Sequence, residues 1–148
     1  MGVPQVDFYI LAGSVDAVRL KFACGIIEQA FLDGRRVLAW TDDAPQLDAL
    51  DDLLWTFADR SFVPHEKLAT DATSEAPVAL VAGASPLPAG YDVLVNLGSR
   101  SAPADVAIER IVEIVDADDT RRRQGRERFR EYRERGWTQQ HHNIASET

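Results

Sequence analysis

The stretch VDFYILAGSVDAVRLKFACGIIEQAFLDGRRVLAW, Val6 to Trp40, contains a complete strand–helix–strand unit. VDFYIL (Val6–Leu11) is a short apolar run rich in aromatic and β-branched residues, which predicts a strand. Gly13-Ser14 breaks it, with Ser14 placed to cap a helix start. From Val15 to Leu32 apolar side chains recur at Val18, Phe22, Ile26 and Ala30, and at Leu20, Ala23, Ile27 and Phe31, the spacing of a helix. Asp33-Gly34 stops it, and RRVLAW (Arg35–Trp40) reads as the second strand. The turn between strand and helix, LAGSVDAV, has neither G-x-G-x-x-G nor G-x-x-x-x-G-K-[ST]. Without those glycines the backbone offers no cradle for a pyrophosphate.

The rest of the chain repeats this alternation. Leu47, Leu50, Leu54 and Phe57 space as one face of an amphipathic helix. SFVPH (Ser61–His65) is a short extended piece, and Glu66 to Pro77 reads as a polar loop. VALVAG (Val78–Gly83) and YDVLVNLG (Tyr91–Gly98) are strands around the turn SPLPAG. A short helix fits Ala104 to Arg110, IVEIV (Ile111–Val115) is the last strand, and an Arg-rich helix follows. Strands alternating with helices, several of them apolar throughout, indicate an α/β fold. The expectation is a single Rossmann-like domain over residues 1–137, with a largely parallel sheet, helices on both faces and no nucleotide-binding loop. Residues 138–148, from the polar stretch onward, read as a flexible tail.

The 148 residues include one cysteine, Cys24, so an internal disulfide is excluded, as is zinc held by two or more thiolates. Cys24 lies among apolar neighbours and reads as a buried small hydrophobe. With no basic-then-apolar leader and no apolar run near 18 residues, the expectation is a soluble, cytoplasmic protein. Catalytic groupings are missing. His65 has no nucleophile partner. His141 and His142 are adjacent and cannot face one way on a regular element. Asp51-Asp52 and Asp118-Asp119 suit helix caps and solvated faces. We expect no catalytic residue, no metal and no cofactor.

Charge is distributed unevenly. The net charge is −8, yet the first 120 residues carry −12 and residues 121–135 carry +5. That segment, RRRQGRERFREYRER, holds eight of the sixteen basic residues, all Arg. On a helical wheel Arg122, Arg126, Phe129, Arg130, Arg133 and Trp137 share about 100° of arc. The glutamates fall elsewhere. Like charges without a carboxylate between them repel, and an anionic partner relieves them. Guanidinium forks grip carboxylates bidentately, and aromatics supply an apolar floor. The stripe suits an acidic peptide with a hydrophobic end or, as the alternative, a single nucleic-acid strand. The negative body disfavours the second.

With these motifs assembled, the chain resembles the chi subunit family of bacterial DNA polymerase III from about Val6 to Trp137. The most specific piece is LDDLLWTFADRSFVPHEK (Leu50–Lys67). VDFYIL, GRRVLAWTDD, DVLVNL and RERFREYRERGW match in order and spacing. The resemblance implies a non-catalytic accessory subunit of the clamp-loader assembly, with a Rossmann-like fold that binds no nucleotide. It implies one surface for the acidic C-terminal tail of single-stranded-DNA-binding protein, with Arg122 and Arg126 on the terminal carboxylate and nearby acids. Val115 and Phe129 would hold the ligand's aromatic ring, Trp137 would close the pocket, and Arg130 and Arg133 would meet upstream acids. It implies a second surface for the psi subunit at Trp55, Phe62, Val63, Pro64 and His65. DNA would be contacted only indirectly.

Overall fold

A computed structural model describes residues 3–59, 61–68, 74–83 and 86–144. Its elements run β1 (Gln5–Leu11), α1 (Asp16–Leu32), β2 (Val37–Thr41), α2 (Ala44–Thr56), β3 (His65–Lys67), β4 (Val78–Ala82), β5 (Val93–Asn96), β6 (Arg110–Val115), α3 (Asp119–Glu134) and β7 (Thr138–Ile144). The strands form one seven-stranded sheet in the order β3-β4-β2-β5-β6-β1-β7. Every pairing is parallel. This is the α/β architecture the alternation of elements predicts.

The apolar strands are explained by burial on both faces. On one face, Val37, Ala39, Val93 and Val112 pack with Leu20, Ala23, Ile27 of α1 and Leu47, Leu50, Leu54 of α2. Cys24 sits fully buried in this layer, and burial pushes its thiol up to about 12. It is packing, not reactive sulfur. On the other face, Val6, Phe8, Leu38, Leu94 and Ile111 pack under Tyr132 of α3 and Trp137. One-residue alternation within each strand sends neighbours to opposite layers.

Several local expectations are revised. Val15, not Ser14, is the N-cap of α1, without a side-chain cap bond; Asp16 supplies the acidic first turn that favours a helix start. Helix α2 is capped as its sequence suggests, with Asp43 accepting from Gln46 N–H. Residues Ala104 to Arg110 form no helix. A turn closes from Val106 N–H to Pro103 O, and Glu109 and Arg110 N–H donate to Asp92 O, because Arg110 already belongs to β6. Glu66 and Lys67 leave the expected loop to pair with Ala79 and Leu80 in β3. Residues 69–73 of that loop lie outside the described residues.

The largest correction concerns the expected tail. Thr138–Ile144 is a strand that pairs with β1 over its whole length, from Gln5↔Thr138 to Leu11↔Ile144. Its polar sequence TQQHHNI hides this because an edge strand faces solvent and needs backbone partners rather than apolar side chains. Gly136, at φ 80°, gives the left-handed turn that ends α3 and sends the chain back along β1. Residues 145–148 of the expected tail lie outside the described residues.

Candidate functional site

Helix α3 is tied to the sheet by a buried polar network as well as by its apolar side chains. Glu113 of β6, fully buried, is 2.8 Å from Arg128 Nε. Tyr132 Oη donates to Glu113 Oε2 at 2.6 Å and accepts from Ala102 N–H at 2.8 Å. Asn96 Nδ2 donates to the same carboxylate oxygen at 2.9 Å. Burial first, then the adjacent Glu113 charge, drives the Tyr132 phenol's pKa far up, so it stays a donor. At the helix start Asp118 accepts from Arg121 N–H, and Arg121 pairs with Asp116 at 2.8 Å. Burial is the largest single influence and works to raise the Asp116 carboxyl, but the Arg121 hydrogen bond, the Asp118 N–H and the nearby guanidinium charges together hold it below the usual carboxylate range. Arg135 pairs with Glu131 one turn away, the surface kind of pair that the sequence suggests for the remaining arginines.

Three of the eight arginines are therefore neutralised by the domain's own acids. Arg122, Arg126, Arg130 and Arg133 are exposed, and no carboxylate among the described residues pairs with them. Beside them lies a cavity of about 290 Å³ between α3, β1, β6 and β7. Its floor is Val115, with Gly125 directly above it: a Cβ at Gly125 would fall 2.9 Å from Val115 Cγ2. That close approach is why the helix carries a glycine in its middle. Arg122 and Arg126 stand at the rim. Phe129 forms one wall, edge-on to Phe8 at 6.1 Å, with the Arg133 guanidinium 5.4 Å from the Phe129 ring centre. Ile10 and His141 complete the lining.

The structure thus brings Val115, Arg122, Arg126 and Phe129 to one cavity and sets Arg133 against it. Arg130 is exposed on the same helix but outside the lining. Trp137 does not close the pocket. It is buried, stacked on Tyr132 at 5.3 Å and covered by the Arg135 guanidinium at 4.7 Å, because the turn at Gly136 folds it under the helix. Four lining residues escape sequence reading. Phe8 and Ile10 were within reach, since period-two alternation in β1 puts them on one face. Gly125 sits beside the aromatic stripe on the wheel. His141 gave no signal, because its stretch lacks the apolar pattern of a strand.

The second predicted surface divides as well. Trp55 is 53% exposed and Phe62 is 65% exposed, their rings 5.9 Å apart. Two bulky aromatics side by side in water form an unpartnered patch. His65 lies under it, 4.5 Å from the Trp55 ring, its side chain fully buried. His65 Nδ1 is 2.6 Å from Val63 O, which fixes the proton on Nδ1, and Nε2 lies 3.1 Å from Asp51 Oδ1 without hydrogen-bond alignment. Pro64 is half-buried, whereas Val63 is core. At the carboxyl ends of β2 and β5, Asp42 accepts from Ser99 N–H at 2.9 Å, so a protein carboxylate occupies that backbone donor. Among the described residues no group of three metal-binding side chains comes together, and no helix is long and apolar enough to cross a membrane.

Fold and site together define a Rossmann-like α/β domain built around a cationic groove with an apolar floor rather than around a phosphate loop. Residues 3–140 match the family described as "DNA polymerase III chi subunit, HolC", and the chain belongs to that family. It is 37% identical over 141 residues to the DNA polymerase III subunit chi of Pseudomonas aeruginosa, covering 95% of this chain and 96% of that one. It is 29% identical over 137 residues to the Escherichia coli K12 subunit chi, covering 90% and 93%. Against the Haemophilus influenzae subunit chi, identity is 27% over 140 residues, covering 94% and 96%. Among solved structures, bacteriophage T4 UvsW superposes with a TM-score of 0.65 at 8% identity, over 95% of this chain and 41% of that chain. The last similarity concerns the fold alone.

Proposed function

We propose that this chain is a non-catalytic accessory subunit of the bacterial replicative DNA polymerase III holoenzyme, tying the clamp loader to single-stranded-DNA-binding protein. The groove on α3 takes the acidic C-terminal tail of that protein. The observation that carries this reading is the set of exposed α3 arginines with no acid partner among the described residues, beside an apolar cavity. Arg122 and Arg126 hold the terminal carboxylate, the cavity over Val115 takes the last aromatic ring, and Arg130 and Arg133 meet acids upstream. The Trp55–Phe62 patch with Pro64 and His65 docks the psi subunit, and Val63 supports it from the core.

The test is a titration with an acidic peptide ending in Pro-Phe, as free acid and as amide, and with an oligonucleotide. The free acid binds, and the amide does not. Arg126→Ala weakens the free acid by about 1.5–3 kcal/mol, the scale of a charged hydrogen bond. Binding that ignores amidation and prefers the oligonucleotide replaces this reading with direct single-strand binding. Phe62→Ala leaves peptide affinity unchanged and abolishes co-purification with a clamp-loader partner; retained co-purification removes the second surface from the proposal.

A further inference from the structure

The cavity has one wall that the arginine helix does not supply. Pairing of β7 with β1 sets His141 opposite Phe8, and the imidazole stacks on that ring at 5.3 Å with 13° between planes. Its other side meets the Phe129 ring at 4.9 Å, near edge-on. The ring is thus fixed by two aromatics, while the residue stays exposed and neither ring nitrogen has a hydrogen-bond partner among the described residues. Gln139, two residues back, donates to Phe129 O at 3.1 Å and holds β7 against α3. The imidazole is therefore positioned, unengaged and on the rim that Arg122 and Arg126 occupy.

Resting on the groove reading above, we propose that His141 is a ligand-binding residue of this groove, donating to a carboxylate of the acidic peptide and making affinity rise as pH falls through the range in which imidazole gains its proton. The groups that face it leave it alone in that role. From β1 come Phe8 and Ile10, from β6 Val115, and from α3 Arg122, Arg126 and Phe129. Arginine does not titrate near neutrality, and among the described residues no carboxylate lines the cavity. His142 points to the opposite face, where it stacks on Tyr9 at 4.7 Å and meets Asp7 at 3.1 Å. The ligand's own carboxyls, ordinarily near 3.3–3.9, stay ionised down to about pH 5.5. An imidazole ordinarily changes charge near 6.5, and a carboxylate bound beside it favours the protonated ring, so binding takes up a proton at the imidazole while the carboxylate stays ionised.

The experiment measures binding of the free-acid Pro-Phe peptide at pH 8.0 and pH 5.5, at constant salt, to the intact chain. The unaltered protein is expected to bind about threefold more tightly at pH 5.5, the scale of one partly exposed ion pair. His141→Phe keeps a ring between Phe8 and Phe129 and loses the pH ratio, whereas His142→Gln keeps it. No pH ratio in the unaltered protein, or an undiminished one in His141→Phe, overturns the proposal. Arg126→Ala separates the two levels: if it leaves peptide affinity untouched, the groove reading itself fails. If it weakens binding while His141→Phe titrates like the parent, only the role of His141 falls.

Discussion

Gly125 shows how much one missing methyl group decides. On an isolated helix, Gly→Ala stabilises by about 1 kcal/mol. Here the added Cβ would sit 2.9 Å from one Val115 methyl and 3.1 Å from the other. Val115 is β-branched and held in the sheet, so the helix must move instead. Gly125→Ala is expected to destabilise the fold by about 1–3 kcal/mol, the cost of overpacking, and to weaken the acidic peptide by narrowing the cavity. Urea denaturation and the same peptide titration check it; a net gain in stability would mean that the close approach is not maintained. Arg128 carries the complementary lesson. Its charge looks like its neighbours' in sequence, yet it is buried on Glu113 while Arg126, two residues earlier, faces water. A guanidinium's role depends on what stands opposite, and a helical wheel contains only its own helix.

At the level of elements, α3 and β7 make the groove jointly. The periodicity of α3 puts Arg122, Arg126, Arg130 and Arg133 on its exposed side, because 3.6 residues per turn is a local property, whereas Trp137 lies past the helix end and is buried. The strand β7 is invisible to the same reasoning: TQQHHNI has no apolar residue before Ile144 and so no alternation, and it forms because β1 would otherwise expose a full row of unpaired backbone groups. A chain ending at Trp137 is therefore expected to melt at lower temperature, to self-associate through the bared β1 edge, and to bind the acidic peptide less tightly. Calorimetry and sedimentation of that truncation check this, and an unchanged melting temperature would show β7 to be dispensable.

Across the whole molecule, the two candidate surfaces lie far apart. Trp55 and Phe62 flank β3, at one end of the sheet, while the groove lies over β6, β1 and β7 at the other. From β3 to β1 is about 24 Å at the usual strand spacing. They also sit on different helical layers, α2 against one face and α3 against the other. That separation is what the proposed two-ended adaptor would need. The sheet between them carries its own acid sensitivity. Asp7 bonds Arg110 at 2.8 Å and His142 at 3.1 Å, joining β1, β6 and β7. Burial acts to raise the Asp7 carboxyl, but those partners hold it, like Asp116, below the usual range. Stability from a lowered carboxyl is present above its unfolded value near 3.9 and is lost as pH falls through the folded one. Urea unfolding should show stability declining below about pH 4. Asp7→Asn should be less stable than the parent at pH 6, with the deficit shrinking toward pH 2–3 as the parent's own carboxylate protonates; a constant deficit would contradict the linkage. The sequence by itself determined the alternation of β1, α1, β2, α2, β4, β5, β6 and α3, the parallel α/β class, the segregation of positive charge and the residues that carry the family resemblance. All of these are written in short-range spacing and turn chemistry. Only the tertiary structure decided which arginines are spent on Glu113 and Asp116, that Trp137 is core, that Trp55 is exposed, and that His141 closes the groove. Each of those depends on backbone pairing and side-chain contacts between residues far apart in the chain, where local periodicity holds no information.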